Sequence, residues 1–429
     1  QLSLVEPWQV KRQFFNTSWW FYGSQEKFNA ADKTNLISFQ TGVYYASIGK
    51  SNQEIAALSR SRHQSQGFGS TGSRGEETEY LEQINGDILK GKKSIFEGID
   101  TSWNRVKGGR AVGELLNKVI DNFDFKNPSA SIFDLVKVYS MIQTLEENHW
   151  KAIKSEELKN CIAACAGLYL EAVASSQEIT TGSNLKLKLE AINRSSVGMQ
   201  LVSLTTLPDS KTFPQNKVLT TNGSNKIQLD LQIPSETEYT QPYWLKETGT
   251  TGMYIVKDQK NIGIPDVIRE TKVVFNIRID EIEIPFERTI VYKYNDDVKG
   301  EMYNFLDIVP VVTTTIQDKV LLFTNTKSKY VGITIKAGKN DLKGNLKLDL
   351  PKDWKVSPQS ISFQLIKKGM EQTVYFEVTP PAQMSEIIGK SIATIDGIAY
   401  DKEQININYD HITKQQVLKT SEVKCIRFD

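Results

Sequence analysis

The change of hydrophobic period near residue 178 is the feature that most limits how this 429-residue chain can fold. Before it, apolar residues recur roughly every three to four positions, which is the spacing of one face of an α-helix. After it, apolar and polar residues alternate, which is the pattern of half-buried β-strands. Because no helices intervene between the strands after residue 178, repeated strand–helix units of a parallel sheet are excluded for that part of the chain. We therefore predict a multidomain α+β protein whose C-terminal part is antiparallel β-structure.

The helical part begins with a predicted amphipathic helix over residues 51–63, in which Ser51 is the N-cap and Glu54 completes a capping box. Residues 76–90 are predicted to form a second helix. Short connections between the helices that follow predict a small antiparallel bundle over residues 97–177. Its helices are expected over residues 113–123, 131–145 and, as one helix or two, 149–176.

Two β-sandwiches are predicted after the helices, because short alternating segments are separated by turn residues at regular intervals. The first spans residues 178–300, with strands near 185–191, 227–233 and 273–279. The second spans residues 301–410, with strands near 331–335, 346–350, 361–365 and 374–378. Residues 411–429 are expected to be a strand or linker, or the start of a further domain.

Charge and composition exclude several classes of function. Lys and Arg total 52 and Asp and Glu total 51, for a net charge of +1, so there is no electrostatic case for nucleic acid or an anionic membrane as a partner. No apolar run approaches the roughly 18 residues that span a bilayer. With three His and three Cys, the chain has little room for a self-contained metalloenzyme, and we predict no metal ligands and no bound cofactor in it.

The cysteine spacing and the first residue each lead to a further prediction. Cys161 and Cys165 lie four positions apart in a helical run and are predicted to be buried structural thiols, with a metal or redox pair as the alternative. Gln1 is not an initiator Met, and no signal peptide is visible. We expect the chain to have been processed or excised from something longer.

The end of the first predicted helix carries candidate ligand-binding residues: Arg62, His63 and Gln66. These side chains suit a polar ligand, and equally they suit a helix C-terminus at which cations complement the dipole. The residues that follow, 67–72, match G-x-G-x-x-G. The dinucleotide fingerprint needs a strand before it and a helix after it, whereas a helix precedes it here. We therefore predict a flexible loop at the rim of a site.

Aromatic residues form the other candidates. Trp19, Trp20 and Tyr44 belong to dense aromatic runs, for which packing in a core is the default and stacking on a sugar face is the alternative. Tyr243 and Trp244 lie between predicted strands of the first sandwich. They are interpreted as a sugar contact, a docking point for another domain or a packed loop anchor.

Three segments resemble the closing third of the PIG-L (LmbE-like) deacetylase domain, in the large exported multidomain form found in bacteria. They are residues 16–24 (NTSWWFYGS), 50–56 (KSNQEIA) and 59–69 (SRSRHQSQGFG). The resemblance continues through residues 125–131 (FKNPSAS) and 241–245 (QPYWL). Residues 350–354 (LPKDW) and 356–358 (VSP) are similar to the NEW3-like sandwiches of carbohydrate-active enzymes.

The resemblance implies a zinc-dependent N-deacetylase that acts on N-acetylglucosaminyl-type amino sugars and is exported to the periplasm or beyond the cell. The zinc ligands of that family come from an Ala-His-Pro-Asp-Asp-Glu motif and a later His-x-x-His, and neither motif is present here. Only His63 and Gln66 match by position, and the resemblance implies that they lie near the active-site face. Residues 1–96 are then the C-terminal part of the α/β domain.

These observations predict a non-catalytic portion of such an enzyme, inactive alone, with an amino-sugar substrate and a missing upstream catalytic segment as its partners. The alternative is a non-catalytic carbohydrate-binding or scaffold protein built on the sandwiches. A third possibility is a split enzyme whose metal-binding half is a separate chain. That split would leave an apolar sheet edge exposed, so association would be expected.

Overall fold

A computed structural model describes residues 7–91, 94–146 and 149–428. The chain divides into two compact units, residues 1–102 and 103–429. β-Structure predominates in the described residues and is arranged in several sheets, which confirms the prediction of a multidomain α+β chain with β-sandwiches at this coarse level. No described helix is both long enough and apolar enough to cross a membrane.

The first unit is built on a three-stranded antiparallel sheet with the order β1–β5–β2, beside a short β3–β4 hairpin. Its elements are β1 (Arg12–Thr17), α1 (Trp19–Tyr22), α2 (Gln25–Ala30), β2 (Leu36–Gln40), β3 (Tyr44–Tyr45), β4 (Lys50–Ser51), α3 (Asn52–Arg60) and β5 (Thr78–Gly86). The predicted helix over residues 76–90 is wrong, because this stretch is β5. Pairing with β1 on one side and β2 on the other overrides the weak local preference of this segment for a helix.

Few apolar side chains are buried in the first unit. Among its described residues they are Phe28, Ile37 and Leu89. Large apolar side chains such as Trp8 and Ile88 are more than four-fifths exposed. A unit of this size usually needs a much larger buried core for independent stability.

The second unit opens with three helices: α4 (Arg110–Asp121), α5 (Ile132–Gln143) and α6 (His149–Ala166). The prediction that helix extends to residue 176 is wrong. Gly167, at φ +56°, adopts the left-handed conformation that ends helices, and a strand follows over Tyr169–Ala174. The prediction of a buried thiol is also wrong for Cys161, which is exposed, while Cys165 is half-buried. Cys161 lies about 100° around the helix from Ile162, which faces the core.

The first sandwich packs a four-stranded sheet, β10–β9–β12–β13, against a five-stranded sheet, β11–β8–β6–β14–β15. Its strands are β6 (Tyr169–Ala174), β8 (Asn184–Ile192), β9 (Met199–Leu207), β10 (Thr212–Val218), β11 (Asn225–Gln232), β12 (Lys272–Ile279), β13 (Ile282–Thr289), β14 (Val291–Asp296) and β15 (Gly300–Phe305). The short strand β7 (Glu178–Thr180) follows β6 and belongs to neither sheet. Leu187 and Phe275, one from each sheet, are fully buried in the same apolar cluster. Because β6 belongs to it, this sandwich begins before residue 178.

The second sandwich packs β17–β19–β23–β21 against the sheet β18–β28–β24–β20–β22, with β25 paired to β24. Its strands, with the β26–β27 hairpin, are β17 (Val312–Ile316), β18 (Val320–Phe323), β19 (Lys329–Ala337), β20 (Leu342–Asp349), β21 (Lys355–Ser357), β22 (Ile361–Leu365), β23 (Glu371–Thr379), β24 (Ser385–Ile395), β25 (Ile398–Tyr400), β26 (Lys402–Ile407), β27 (Gln415–Thr420) and β28 (Glu422–Arg427). Strand β16 (Asp307–Val309) precedes them and lies in neither sheet. The last residues are therefore not a linker, since β28 lies inside this sheet with Cys425 fully buried.

A polar seam joins the two sandwiches. Strand β16 pairs in parallel with β7, which lies between β6 and β8 in the chain. Gln416 on β27 is buried and donates hydrogen bonds to the carbonyl oxygens of Thr240 (2.6 Å) and Ile308 (3.2 Å). Gln404 donates to both Gln416 (2.9 Å) and Glu178 (3.0 Å). The seam therefore fixes the β26–β27 hairpin against the residues that follow β11.

Candidate functional site

The N-terminus of α3 is defined by a complete capping box. The Ser51 N–H donates to Glu54 Oε2 at 3.0 Å, and the Glu54 N–H donates to Ser51 Oγ at 3.3 Å. This confirms the predicted start of the helix, which ends at Arg60 rather than at His63. The backbone hydrogen bond from Ser51 lowers the pKa of Glu54.

His63 and Gln66 are brought together just beyond α3. His63 Nδ1 lies 2.7 Å from Gln66 Oε1, and both residues are exposed. Because an amide oxygen can only accept, Nδ1 carries the proton. With the proton of a neutral imidazole on Nδ1, Nε2 is the acceptor. Arg62, the third predicted residue at this helix end, is also exposed.

The glycine-rich loop folds back on α3. The Ser70 N–H donates to Ser61 Oγ at 3.1 Å, and Arg74 Nε lies 3.0 Å from Glu54 Oε1. A Cβ on Gly72 would lie 3.0 Å from the Glu54 Cα, so only glycine permits this approach without a shift. The loop therefore borders the His63–Gln66 pair, and strand β5 rather than a helix follows it.

The N-terminal aromatic residues are exposed rather than packed in a core. Trp19 is 46% exposed, Trp20 71% and Tyr44 62%. The default expectation of core packing is therefore wrong for them. Among the described residues, no hydrogen bond, ion pair or ring contact joins them to His63.

Tyr243 and Trp244 lie in the long connection over residues 233–271, between β11 and β12. Loops longer than about 15 residues without helices or strands of their own are uncommon in compact domains and are often functional. This one contains only two short 3₁₀ turns, Tyr243–Leu245 and Gln259–Asn261. The two rings meet edge to face, with centroids 4.9 Å apart and planes at 90°. The Tyr243 hydroxyl donates to the Ile264 carbonyl at 3.1 Å.

Tyr243 and Trp244 line different cavities. Trp244 lines a cavity of about 600 Å³, which we call the Trp244 cavity. Tyr243 lines one of about 530 Å³, the Tyr243 cavity. Lys246 and Glu247 line both, so the two cavities adjoin. Residues of the β26–β27 hairpin complete the Trp244 cavity, and Ile308 contributes to the Tyr243 cavity.

The Tyr243 cavity carries an excess of negative charge. Four carboxylates and two ammonium groups line it: Glu238, Glu247, Asp258, Glu270, Lys246 and Lys257. Lys246 pairs with Glu238, and Lys257 pairs with Glu247 at 2.6 Å. Within the described part of the chain, Asp258 accepts only a backbone N–H, and Glu270 makes no hydrogen bond or ion pair.

A buried ion pair fixes the end of the long connection to β16. Arg269 Nη1 lies 2.6 Å from Asp307 Oδ1, and their side chains are 7% and 5% exposed. The guanidinium carbon of Arg269 also lies 4.4 Å from the centre of the Phe305 ring. Burial raises the pKa of Asp307, although Arg269 opposes that rise.

Zinc, which the resemblance implies, does not fit the donors found here. In residues 7–91, 94–146 and 149–428, no three His, Cys, Asp or Glu side chains are grouped to hold a metal ion. No step of metal chemistry can therefore be assigned to these residues.

Comparison with known proteins does not assign the chain to a family. No protein-family model and no curated protein matches the chain. A family 123 glycoside hydrolase from Clostridium perfringens is 8% identical over 28% of this chain and 27% of its own, with a TM-score of 0.18. A mutant of Salmonella alpha-2-macroglobulin is 11% identical over 61% and 16%, with a TM-score of 0.20. A non-cellulosomal cohesin from Archaeoglobus fulgidus is 12% identical over 27% and 92%, with a TM-score of 0.16. TM-scores this low do not establish a shared fold.

Proposed function

We propose that this chain is a non-catalytic portion of a PIG-L-like N-deacetylase that acts on N-acetylglucosaminyl-type amino sugars. The observation that carries the proposal is the hydrogen bond between His63 and Gln66. These are the two positions that the resemblance transfers, and they lie side by side at an exposed helix end bordered by a glycine-rich loop. Zinc ligands would come from outside the described residues.

The proposed role of the His63–Gln66 pair is to bind and orient the sugar. With Nδ1 donating to Gln66, Nε2 is left to accept a hydrogen bond from a sugar hydroxyl. Because Gln66 meets His63 through its oxygen, its amide N–H groups can donate to an acetyl carbonyl or ring oxygen. These are positioning contacts and do not themselves break the amide bond.

Metal analysis tests the non-catalytic half of the proposal. We expect the purified 429-residue chain to contain far less than one zinc per molecule by inductively coupled plasma mass spectrometry. It should also release no acetate from N-acetylglucosamine oligosaccharides. Stoichiometric zinc that survives dialysis would overturn the proposal that the metal ligands lie elsewhere.

Titration calorimetry with an N-acetylglucosamine tetramer tests the sugar-binding half. Replacing His63 or Gln66 by Ala should weaken binding about five-fold, the loss expected for one hydrogen bond worth about 1 kcal/mol. His411→Ala, at an exposed histidine far along the chain, is the matched control and should leave binding unchanged. Equal binding by all the variants would remove the pair from the site.

A non-catalytic carbohydrate-binding protein is the second candidate, and the exposure of Trp19 and Trp20 favours it. Exposed aromatic rings of this kind suit stacking on sugar faces. The reading frame upstream of Gln1 separates the two candidates. An in-frame His-Pro-Asp-Asp-Glu would support the deacetylase, whereas a start codon and signal sequence directly before Gln1 would support the binder.

A further inference from the structure

The chain contains two Asn-Gly sequences, which begin at Asn85 and Asn222. We propose that Asn85 is a site of spontaneous deamidation and that the fold protects Asn222 from the same reaction. Neither asparagine takes part in the proposed sugar binding, so this inference stands apart from the proposed function.

Deamidation of an Asn-Gly sequence needs no enzyme. The backbone nitrogen of the glycine attacks the side-chain carbonyl carbon of the asparagine, so a bond forms between that nitrogen and Cγ and the bond from Cγ to the side-chain nitrogen breaks. The proton of the glycine N–H leaves with the departing nitrogen as ammonia, and a cyclic succinimide remains. Water then opens the ring at one of its two carbonyls and gives aspartate or isoaspartate. Glycine favours the closure because it has no Cβ to obstruct the approach.

The Gly86 nitrogen is held beside the side-chain carbonyl of Asn85. Its N–H donates to Asn85 Oδ1 at 2.8 Å, so the attacking atom already lies next to the carbonyl group that it attacks. Reactions within a molecule are fastest when the reacting atoms are held about 3–3.5 Å apart. Both residues are exposed, so water can reach the succinimide. Every reactant is therefore in place at Asn85.

The position of Gly86 in β5 explains why its N–H is available to the Asn85 side chain. The next residue, Asp87, donates its N–H to the Lys11 carbonyl at 2.8 Å, beside β1. Because successive N–H groups of an antiparallel strand point to opposite edges, the Gly86 N–H points away from β1. At that other edge β2 pairs with residues 78–82 of β5 and does not reach Gly86 in the described part of the chain. The sheet therefore does not compete with the side chain for this N–H.

The second Asn-Gly sequence lies in a turn that directs the glycine N–H elsewhere. The Gly223 N–H donates to the Thr220 carbonyl at 3.0 Å, and the Asn222 N–H donates to the Asn193 carbonyl at 2.6 Å. A Cβ on Gly223 would lie 2.3 Å from Thr220 Oγ, so the turn is closely packed around this glycine. Attack on Asn222 requires the bond from Gly223 to Thr220 to open first. This opening adds to the barrier, and Asn85 has no such requirement.

Isoaspartate at position 85 would lengthen the backbone of β5 by one carbon atom. Asn85 lies opposite Gln13, and Gly86 lies opposite Arg12, both on β1. Pairing depends on a regular backbone repeat, so the extra atom interrupts this end of the β1–β5 ladder. Strand β1 is at the edge of its sheet, in a unit with few buried apolar side chains among its described residues. A large core is therefore not available to hold β1 in place after the modification.

Peptide mapping by mass spectrometry on the 429-residue chain tests the proposal. The folded protein is incubated at mildly alkaline pH, which promotes loss of the glycine N–H proton, and the peptides that contain Asn85 and Asn222 are followed. Chromatography separates isoaspartate from aspartate. We expect Asn85 to convert at least about ten-fold faster than Asn222, because only Asn85 is held close to the attacking nitrogen. In guanidinium chloride, where neither contact survives, the two rates should be similar.

Asn85→Gln is the matched variant, because its longer side chain closes a ring much more slowly. Incubation of the unaltered chain should accelerate amide exchange in β1, whereas incubation of Asn85→Gln should leave it unchanged. Asn222→Gln should behave like the unaltered chain. Thermal unfolding of each variant before incubation verifies that it is folded.

Three outcomes would overturn the proposal. Conversion of Asn222 as fast as that of Asn85 in the folded chain would remove the protection by the turn. A rate ratio that persists in guanidinium chloride would show that the neighbouring residues, and not the fold, set the rates. Unchanged exchange in β1 after Asn85 has converted would remove the effect on the ladder.

Discussion

Asp307 compensates a buried charge in the second unit. Its carboxylate is the only partner, among the described residues, of the buried Arg269 guanidinium in an ion pair. Asp307→Asn should lower the free energy of unfolding by about 3–5 kcal/mol, because it leaves a buried charge uncompensated. Urea unfolding followed by tryptophan fluorescence measures this loss.

Two controls distinguish a charge effect from a packing effect at Asp307. Replacing the pair together, as Arg269→Met with Asp307→Leu, should cost much less than Asp307→Asn alone, since no unpaired charge remains. Breaking the exposed Lys107–Glu146 pair with Lys107→Met should cost less than about 1 kcal/mol. A similar loss in all three would mean that the charge of Asp307 is unimportant.

Gln416 plays the corresponding role in the seam between the sandwiches. Gln416→Ala leaves the Thr240 carbonyl without its 2.6 Å donor, and we expect a loss of about 1–3 kcal/mol in the free energy of unfolding. Gln359→Ala is the control, because Gln359 also donates to a carbonyl but is exposed. It should change stability by less than about 0.5 kcal/mol. Equal effects of the two substitutions would show that the seam carries no stability.

At the scale of elements, α3 depends on its capping box. Ser51→Ala removes the acceptor of the Glu54 N–H and should destabilise the helix by about 1 kcal/mol. Hydrogen exchange of the α3 amides should therefore accelerate about five-fold, while exchange in β12 stays unchanged. Ser59→Ala, inside the same helix and exposed, is the control and should leave exchange unchanged or slightly slower.

The same capping box predicts a dependence on pH. The hydrogen bond from Ser51 lowers the pKa of Glu54 below its ordinary value of 4.5. Its stabilisation of α3 is therefore fully present above about pH 4.5 and is lost as the pH falls through the lowered pKa. Amide exchange in α3, corrected for the intrinsic rate, should accelerate over that window. Glu54→Gln should abolish this dependence, and a variant with the unaltered pH profile would contradict the assignment.

At the scale of the whole molecule, the two units differ in their buried apolar content. The second unit contains two large apolar clusters, whereas buried apolar side chains are few among the described residues of the first. We expect amides in β5 to exchange by low-energy local opening and amides in β12 only by global unfolding. Native-state hydrogen exchange with mass spectrometry measures both. Equal protection of β5 and β12 would contradict this expectation.

The sequence by itself determined the elements whose signal is local. Ser51 and Glu54 are three residues apart and specify the start of α3, and the alternation of Leu185, Leu187 and Leu189 specifies β8 with its buried face. These patterns are sufficient because capping and side-chain period act over a few neighbouring residues. The pairing of His63 with Gln66 is similarly local, because one turn separates them.

Only the tertiary structure determines β5, β28 and the two cavities lined by Tyr243 and Trp244. Strand β5 is a strand because β1 and β2 pair with both of its edges, and β28 lies in a sheet because β18 and β24 flank it. The Trp244 cavity joins Trp244 to Thr420, which is remote in sequence. The one sequence signal for these cavities is the long connection over residues 233–271, which has no regular hydrophobic period. Hydrogen bonding and charge between distant segments set these features, and no local pattern encodes which segments will meet.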